Sequence, residues 1–249
     1  MGCLNTTYPE PRPETRAMST TDATLLHPTL MERPLGALAA ALPGATAVFR
    51  RHKLDFCCGG QASLADAAAA RGIDPAAIAA ELAALDPAAA EQAPRAPDEL
   101  IDLILARYHA VHRRELPELI RLARKVEAVH RGKPGTPAGL AELLERMEDD
   151  LVSHMGKEEM ILFPLLRSAF PERAGAMAFG PIAMMRGEHD DHGAELLLMA
   201  GLTDDLTLPP EACTTFRALY AGLGKFRDDL TQHIHLENNV LFPQFEAAA

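Results

Sequence analysis

The sequence predicts an all-α protein, an antiparallel four-helix bundle joined to a small N-terminal helical domain, and three observations carry that prediction. Hydrophobic residues make up 48% of the chain and aromatics only 5%, with many Ala and Leu, a balance that favours helices over strands. Four long stretches place apolar residues at intervals of three and four, the spacing of one buried helical face. Two of these stretches repeat the other two, so the bundle reads as a duplicated helical hairpin.

The elements follow in order. Residues 1–30 are rich in Thr, Pro and Glu without helical periodicity and read as a disordered leader. Residues 31–85 form short Ala/Leu-rich helical pieces broken at Pro43-Gly44, Gly59-Gly60 and Gly72. Within them Ser63 is placed to cap one helix and Asp74, followed by Pro75, to start the next. Residues 86–97, with three prolines and little apolar bulk, read as a linker. The bundle then occupies 98–249. Its first stripe runs Leu105, His109, His112, Leu116, Leu119, Ala123, Val126. The second, expected to begin at a Thr136-Pro137 cap, runs Leu140, Leu144, Met147, Leu151, His154, Glu158, Leu162. The third runs Ile182, Met185, His189, His192, Leu196, Met199. The fourth runs Phe216, Leu219, Leu223, Phe226, Leu230, His233, Glu237, Leu241.

Composition narrows the function classes. Thirty-five acids against 24 bases give a formal net charge of -11, which repels nucleic acid and anionic membranes and suits cation binding. No apolar run reaches the roughly 18 residues of a membrane span, and no secretory-type apolar core precedes the first domain, so the expected compartment is the cytoplasm. The four cysteines make no disulfide framework. Cys3 falls in the leader, Cys57 and Cys58 are neighbours that bridge only with strain, and Cys213 is expected on the apolar face of a helix.

Every bundle stripe contains a polar residue of metal-ligand type, and the repeat organises them. His109-x2-His112-x2-Glu115-Leu116 returns as His189-x2-His192-x2-Glu195-Leu196, and His154-x3-Glu158-x4-Phe163-Pro164 returns as His233-x3-Glu237-x4-Phe242-Pro243. A carboxylate four residues after a histidine lies on the same face one turn on, so both reach one metal or an adjacent pair. Four imidazoles and two carboxylates supply two nitrogens to each of two metals with both glutamates bridging, leaving room for an oxo bridge and a small ligand. This nitrogen and oxygen set favours iron, and leaving six such groups buried without a cation would cost several kcal/mol. His112 and His192 are left as outer donors, spare ligands or neither. His130 closes the first bundle helix near its C-terminal dipole. Roughly 200° round the helix from His233, His235 is expected in solvent, and Glu159 and Glu188 are expected exposed or as outer partners of the ligands. In the small domain, Cys57 and Cys58 follow the basic run Arg50-Arg51-His52-Lys53, which lowers thiol pKa where it lies close.

The segments LDFCCGG, YHAVHRRELPEL, SHMGKEEMILFP, GEHDDHG and HIHLENNVLFP, in this order, resemble the family of repair-of-iron-centres proteins over roughly Pro34 to Phe245. The resemblance implies a hemerythrin-like bundle and a non-haem di-iron centre, oxo-bridged when oxidised, held by His109, His154, Glu158, His189, His233 and Glu237. It implies a cytoplasmic stress protein that repairs iron-sulfur clusters damaged by nitrosative or oxidative stress. The expected partners are damaged cluster proteins, with nitric oxide or oxygen as small ligand and a homodimer compatible with the sequence. Cys57 and Cys58 match the family's paired cysteines and are expected to relay iron or electrons. Reduction of nitric oxide to nitrous oxide at the two irons and reversible oxygen carriage or sensing are the alternatives. His235 departs from the small polar residue expected at its position, and the leader is extra.

Overall fold

A computed structural model of the chain describes residues 30–86, 93–167 and 171–246, with the side chains of 171–176 left aside. Residues 1–29 of the expected leader, with Cys3, and residues 87–92, half of the expected linker, lie outside the described residues. No β-strand forms among those residues, and one isolated bridge pairs Pro34 with Ser63.

The small domain consists of α1 (Leu35–Ala41), α2 (Ala45–Arg51), α3 (Leu64–Ala70) and α4 (Pro75–Ala83). Its caps follow the sequence expectation. Ser63 Oγ accepts the Asp66 N–H at 3.1 Å, and Asp74 Oδ1 accepts the Ala76 N–H at 3.0 Å with Pro75 in the first turn. Gly44, at φ 89°, starts α2 from a conformation that costs other residues about 1–2 kcal/mol. The amphipathic faces of these short helices close on Leu35, Leu38, Phe49, Phe56, Leu64 and Ile78, all fully buried.

The bundle begins with α5 (Pro97–Ile104), which passes through a π turn at Leu105–His109 into α6 (Ala110–Val129). α7 (Leu140–Lys157) runs into a second π turn, Glu158–Leu162, and the short α8 (Phe163–Leu166). The long α9 (Pro171–Leu202) follows, then α10 (Thr214–His235), a third π turn, Leu236–Leu241, and α11 (Pro243–Glu246). α6 packs on α7 and α10, and α9 on the same two, which closes the four-helix ring. The Thr136 cap is a correction. α7 starts at Leu140 behind Gly139 at φ 87°, while the Thr136 hydroxyl donates to the carbonyl of His130 at 2.6 Å and so serves the preceding turn. Cys213 is a second correction, for it sits exposed at the N-cap of α10 and not on its apolar face.

Two apolar clusters divide the bundle. One, around Leu119, Leu144, Met147, Phe216, Leu223 and Phe226, fills one end. The other, around Leu100, Ile104, Phe163, Ile182, Leu241 and Phe242, fills the opposite end. The buried histidines and glutamates form a polar layer between them. Water is kept from that layer on both sides, which strengthens every electrostatic interaction inside it.

The small domain docks where α1 meets the π turn Leu236–Leu241. Asn239 Nδ2 donates to the carbonyl of Phe56 at 3.1 Å, and Asn238 Nδ2 to that of Cys57 at 3.1 Å. Arg50 faces Asp228 at 4.0 Å, and Lys53 pairs with Asp205. Backbone approach is close here. A Cβ on Gly60 would stand 2.7 Å from the Phe56 carbonyl oxygen, a backbone atom that cannot step aside without moving the loop. Gly60→Ala is therefore expected to cost about 1–3 kcal/mol, read as a lower urea midpoint in chemical denaturation.

Candidate metal centre

Geometry brings all six expected residues into one layer, each 1% exposed or less. His109 enters from the π turn before α6, His154 from the end of α7 with Glu158 opening the next π turn, His189 from mid-α9, and His233 from the end of α10 with Glu237 in the turn beyond. Two four-residue sets result, His109/Glu158/His233/Glu237 and His154/Glu158/His189/Glu237, and the two glutamates belong to both.

All four imidazoles point Nε2 inward. His109 Nε2 lies 3.1 Å from His233 Nε2, and His154 Nε2 lies 3.1 Å from His189 Nε2. Each carboxylate divides its oxygens between the two pairs. Glu158 Oε2 is 3.3 Å from His109 and its Oε1 3.4 Å from His154, while Glu237 Oε1 is 3.0 Å from His233 and its Oε2 3.0 Å from His189. Two nitrogens about 2.1 Å from one metal stand about 3.0 Å apart at a right angle and about 3.4 Å apart at the tetrahedral angle. The observed separations of 3.0 to 3.4 Å fall within this range, as donors to a shared metal ion require.

The outer faces of the rings are held in place. His109 Nδ1–H donates to Glu159 at 2.8 Å, His154 Nδ1–H to Glu188 at 2.8 Å, and His189 Nδ1–H to Asn238 Oδ1 at 2.8 Å. These donors leave the Nε2 lone pairs free to face the centre. Arg113 balances Glu159 at 2.6 Å, and Lys157 pairs with Glu188. His233 breaks the pattern, since its Nδ1 has no hydrogen-bond partner among the described residues and its ring stacks on Tyr108 at 5.6 Å.

The protonation states suit a cation. Burial, and then the neighbouring His233, push His109 down to about 4, and burial with His189 takes His154 to about 2. Both rings are neutral near pH 7, the state that ligates. Burial and the nearby Glu237 hold Glu158 well above the carboxylate range. For Glu237 burial again pushes upward, but His233 and His189 outweigh it and the carboxyl falls well below its ordinary value. Neither oxygen of Glu158 has a hydrogen-bond partner among the described residues, although the side chain is fully buried. A dication between the glutamates satisfies those oxygens and removes the repulsion, so the donor set fits two metal ions.

Other histidines fall where the sequence left them open or placed them differently. His112 and His192 are buried, join neither set, and carry Nε2 atoms without hydrogen-bond partners among the described residues. His130 caps the C-terminal end of α6 as expected, with its Nε2 3.3 Å from Cys213 Sγ. His235 is a correction. It is 2% exposed, edge-on to Phe56 at 5.4 Å, and its Nδ1 accepts from Asn239 at 3.1 Å. At His235 the outward face of α10 is covered by the small domain and does not meet solvent.

Cys57 and Cys58 are free thiols, their sulfurs 3.6 Å apart, and the Cys58 thiol donates to the backbone carbonyl of His189 at 3.2 Å. The basic run does not lower the thiol pKa at Cys57. Its hydrogen bond with Cys58, burial, and the neighbouring Asp55 hold it well above its ordinary value. The basic run is engaged elsewhere, with Arg51 on Glu81, His52 on Glu81, Lys53 on Asp205 and Arg50 on Asp228. Asn238 and Asn239 are functional neighbours that the sequence reading missed. The signal was present, because the repeat offset of 79 places Asn238 opposite Glu159, the partner of His109.

Comparison with known proteins supports both halves of the chain. The hemerythrin HHE cation binding domain profile matches residues 100–245, and the ScdA_N profile, a domain of unknown function (DUF542), matches residues 31–86. The chain is 49% identical over 217 residues to the iron-sulfur cluster repair protein YtfE of Citrobacter koseri, covering 86% of this chain and 96% of that one. It is 50% identical over 216 residues to YtfE of Musicola paradisiaca and 48% identical over 217 residues to YtfE of Escherichia coli O157:H7, with the same coverage of each. With a helical bundle of the hemerythrin type carrying buried His/Glu sets, and close relatives along nearly their whole length, the chain belongs to the YtfE family of iron-sulfur cluster repair proteins.

Proposed function

We propose that the chain supplies iron for the repair of iron-sulfur clusters damaged by nitrosative or oxidative stress, from a di-iron centre held by His109, His154, Glu158, His189, His233 and Glu237, with Cys57 and Cys58 as relay. The observation that carries the reading is the contact of the Cys58 thiol with the backbone carbonyl of His189, a candidate ligand. It puts a pair of iron-seeking sulfurs against the wall of the centre, with a cleft of about 910 Å³ opening outward from them. The relatives' name agrees with it.

When bound, the two irons supply exchangeable ferrous ion and redox chemistry toward small ligands such as nitric oxide or oxygen. The chain's own residues do the rest. The imidazoles present their Nε2 atoms inward, and Glu158 and Glu237 offer one oxygen to each pair. Glu159, Glu188 and Asn238 fix three of the rings against rotation. The two apolar clusters keep bulk water out, and the cleft at the thiols reaches α9 at Asp190, next to His189.

A cytoplasmic location and damaged cluster proteins as partners belong to the same proposal. Among the described residues no helix is long and apolar enough to cross a membrane. Oxygen carriage and nitric oxide reduction are less well supported, since neither calls for a thiol pair at the wall of the centre. The test is anaerobic. Ferrous-loaded protein is mixed with a cluster-depleted dehydratase, and reactivation is followed for wild type and the C57S/C58S double variant. Transfer is expected to slow about tenfold in the variant while the bundle keeps its two irons. Equal rates would remove the cysteines from the pathway.

A further inference from the structure

Beside the buried centre, the loop Leu54–Gly60 gathers a second group of ligand-type atoms. Cys57 Sγ lies 3.6 Å from Cys58 Sγ and 3.3 Å from Asp55 Oδ1, and the three side chains form one compact set of donors. We propose that Asp55, Cys57 and Cys58 form a separate, open site for a single thiophilic divalent cation, with ferrous iron as its cargo; the choice of cargo rests on the iron-supply reading above.

Donor spacing is the first argument. Two thiolates each about 2.3 Å from a tetrahedral metal stand about 3.8 Å apart, and a thiolate and a carboxylate oxygen at about 2.0 Å stand about 3.5 Å apart. The observed separations of 3.6 and 3.3 Å come within a few tenths of an ångström of both. Little rearrangement is needed for the three atoms to meet one ion.

The second argument is that the loop is already held in this shape. Asp55 Oδ1 accepts the backbone N–H groups of Cys57 at 3.2 Å and Cys58 at 3.0 Å, which folds the carboxylate over the two cysteines. Glycine at 59 keeps the loop tight, because a Cβ there would stand 3.1 Å from both the Asp55 carbonyl and its Oδ2. On the bundle side, Gly193 of α9 lets the sulfur of Cys58 approach, the site of a Cβ on that residue lying 3.3 Å from it. Asn238 and Asn239 fasten the carbonyls of Cys57 and Phe56 from the third π turn.

Access is the third argument. Asp55 is exposed, Cys58 half-buried and Cys57 buried, so the set is graded from the protein wall to the cleft, which Gly193, Leu197 and Arg227 also line. Three donors leave a fourth tetrahedral position facing that cleft. A cysteine thiolate of an acceptor protein fits it in size, charge and softness. Binding is ligand exchange without change of oxidation state. Each thiol releases its proton to solvent as its sulfur takes the ion, so one dication replaces two protons. On transfer the incoming thiolate takes the fourth position and the Asp55 carboxylate, the hardest donor, leaves first.

Cobalt(II) is the probe, because a cobalt–thiolate bond absorbs in the near ultraviolet and tetrahedral cobalt absorbs strongly in the visible. The full chain carries C3S and C213S, so that Cys57 and Cys58 are the only thiols, and is loaded with ferrous iron and desalted to two irons per chain before anaerobic titration. One equivalent of cobalt is expected to produce both bands. D55N is expected to weaken binding at least tenfold with the thiolate band retained, and C58S to abolish the band. Should C58S lose helical circular dichroism, alkylation of both thiols in the parent protein is expected to abolish the band equally. A missing band at one equivalent, a band that survives alkylation, or unchanged affinity in D55N overturns the site. The bundle is read separately by iron content. Cobalt bands in a chain that holds no bundle iron would sink the di-iron reading and leave this site standing, whereas two irons without cobalt bands would do the reverse.

Discussion

Glu158→Ala and Glu237→Ala are each expected to empty the bundle of both metals, whereas His109→Ala is expected to leave about one. The reason is the sharing of oxygens. His109 belongs to one four-residue set only, and its loss leaves His154, Glu158, His189 and Glu237 complete. Either glutamate belongs to both sets, so its loss takes one donor from each and exposes the two ions to one another with half the compensating charge. Iron analysis after anaerobic loading checks the pattern, and one iron retained in Glu237→Ala would break it. The metal-free proteins add a contrast of sign. Glu158 is held well above the ordinary carboxylate range by burial and by Glu237, so Glu158→Gln replaces a neutral acid by a neutral amide and is expected to melt at or above the wild-type temperature. Glu237 is ionised against His233 and His189, and Glu237→Gln is expected to cost about 1–3 kcal/mol. Circular-dichroism melts of chelator-treated samples separate the two.

Acid is expected to unfold the metal-free protein well above pH 4. Burial is the leading cause in each of four histidines. His109 and His235 fall to about 4, and His112 and His154 to about 2, against an ordinary value of 6.5. A depressed folded value means stability that is fully present above 6.5 and is lost as pH falls toward the folded values, because the unfolded chain takes up protons that the buried rings refuse. Glu158 opposes them with one proton, since its raised value favours the folded state as pH falls toward 4.5. Three net protons, at roughly 1.4 kcal/mol each per pH unit, remove about 4 kcal/mol for every unit below 6. Two units remove about 8 kcal/mol, comparable with the whole stability of a typical domain, about 5–15 kcal/mol. A pH titration followed by circular dichroism should show the transition between pH 6 and 4, with the metal-loaded protein holding to lower pH. A metal-free protein folded at pH 3 would contradict it.

Much of this was legible in the sequence, and the reasons are local. A histidine and a glutamate four residues apart share a helix face whatever surrounds them, so His154/Glu158 and His233/Glu237 could be paired before any fold was known. Their duplication then fixed the number of helices and the meeting point. What escaped depended on neighbours. Periodicity marked the face of α10 that carries His235 as outside the bundle, but it could not say that a second domain covers that face with Phe56. It also could not show the three π turns, because one extra residue in a turn leaves no compositional mark. The thiols depended on neighbours in the same way. Sequence left open whether the basic run lies close to them, and Arg50 to Lys53 turn to Glu81, Asp205 and Asp228.

Asn238 faces both the centre and the thiol loop, its oxygen bonded to His189 Nδ1 and its nitrogen to the carbonyl of Cys57. Because the Cys57 carbonyl takes the amide nitrogen, the amide oxygen is the end that meets His189, where it accepts the Nδ1 proton and leaves the Nε2 lone pair toward the centre. The seat of the small domain thus specifies the tautomer of a histidine in the bundle.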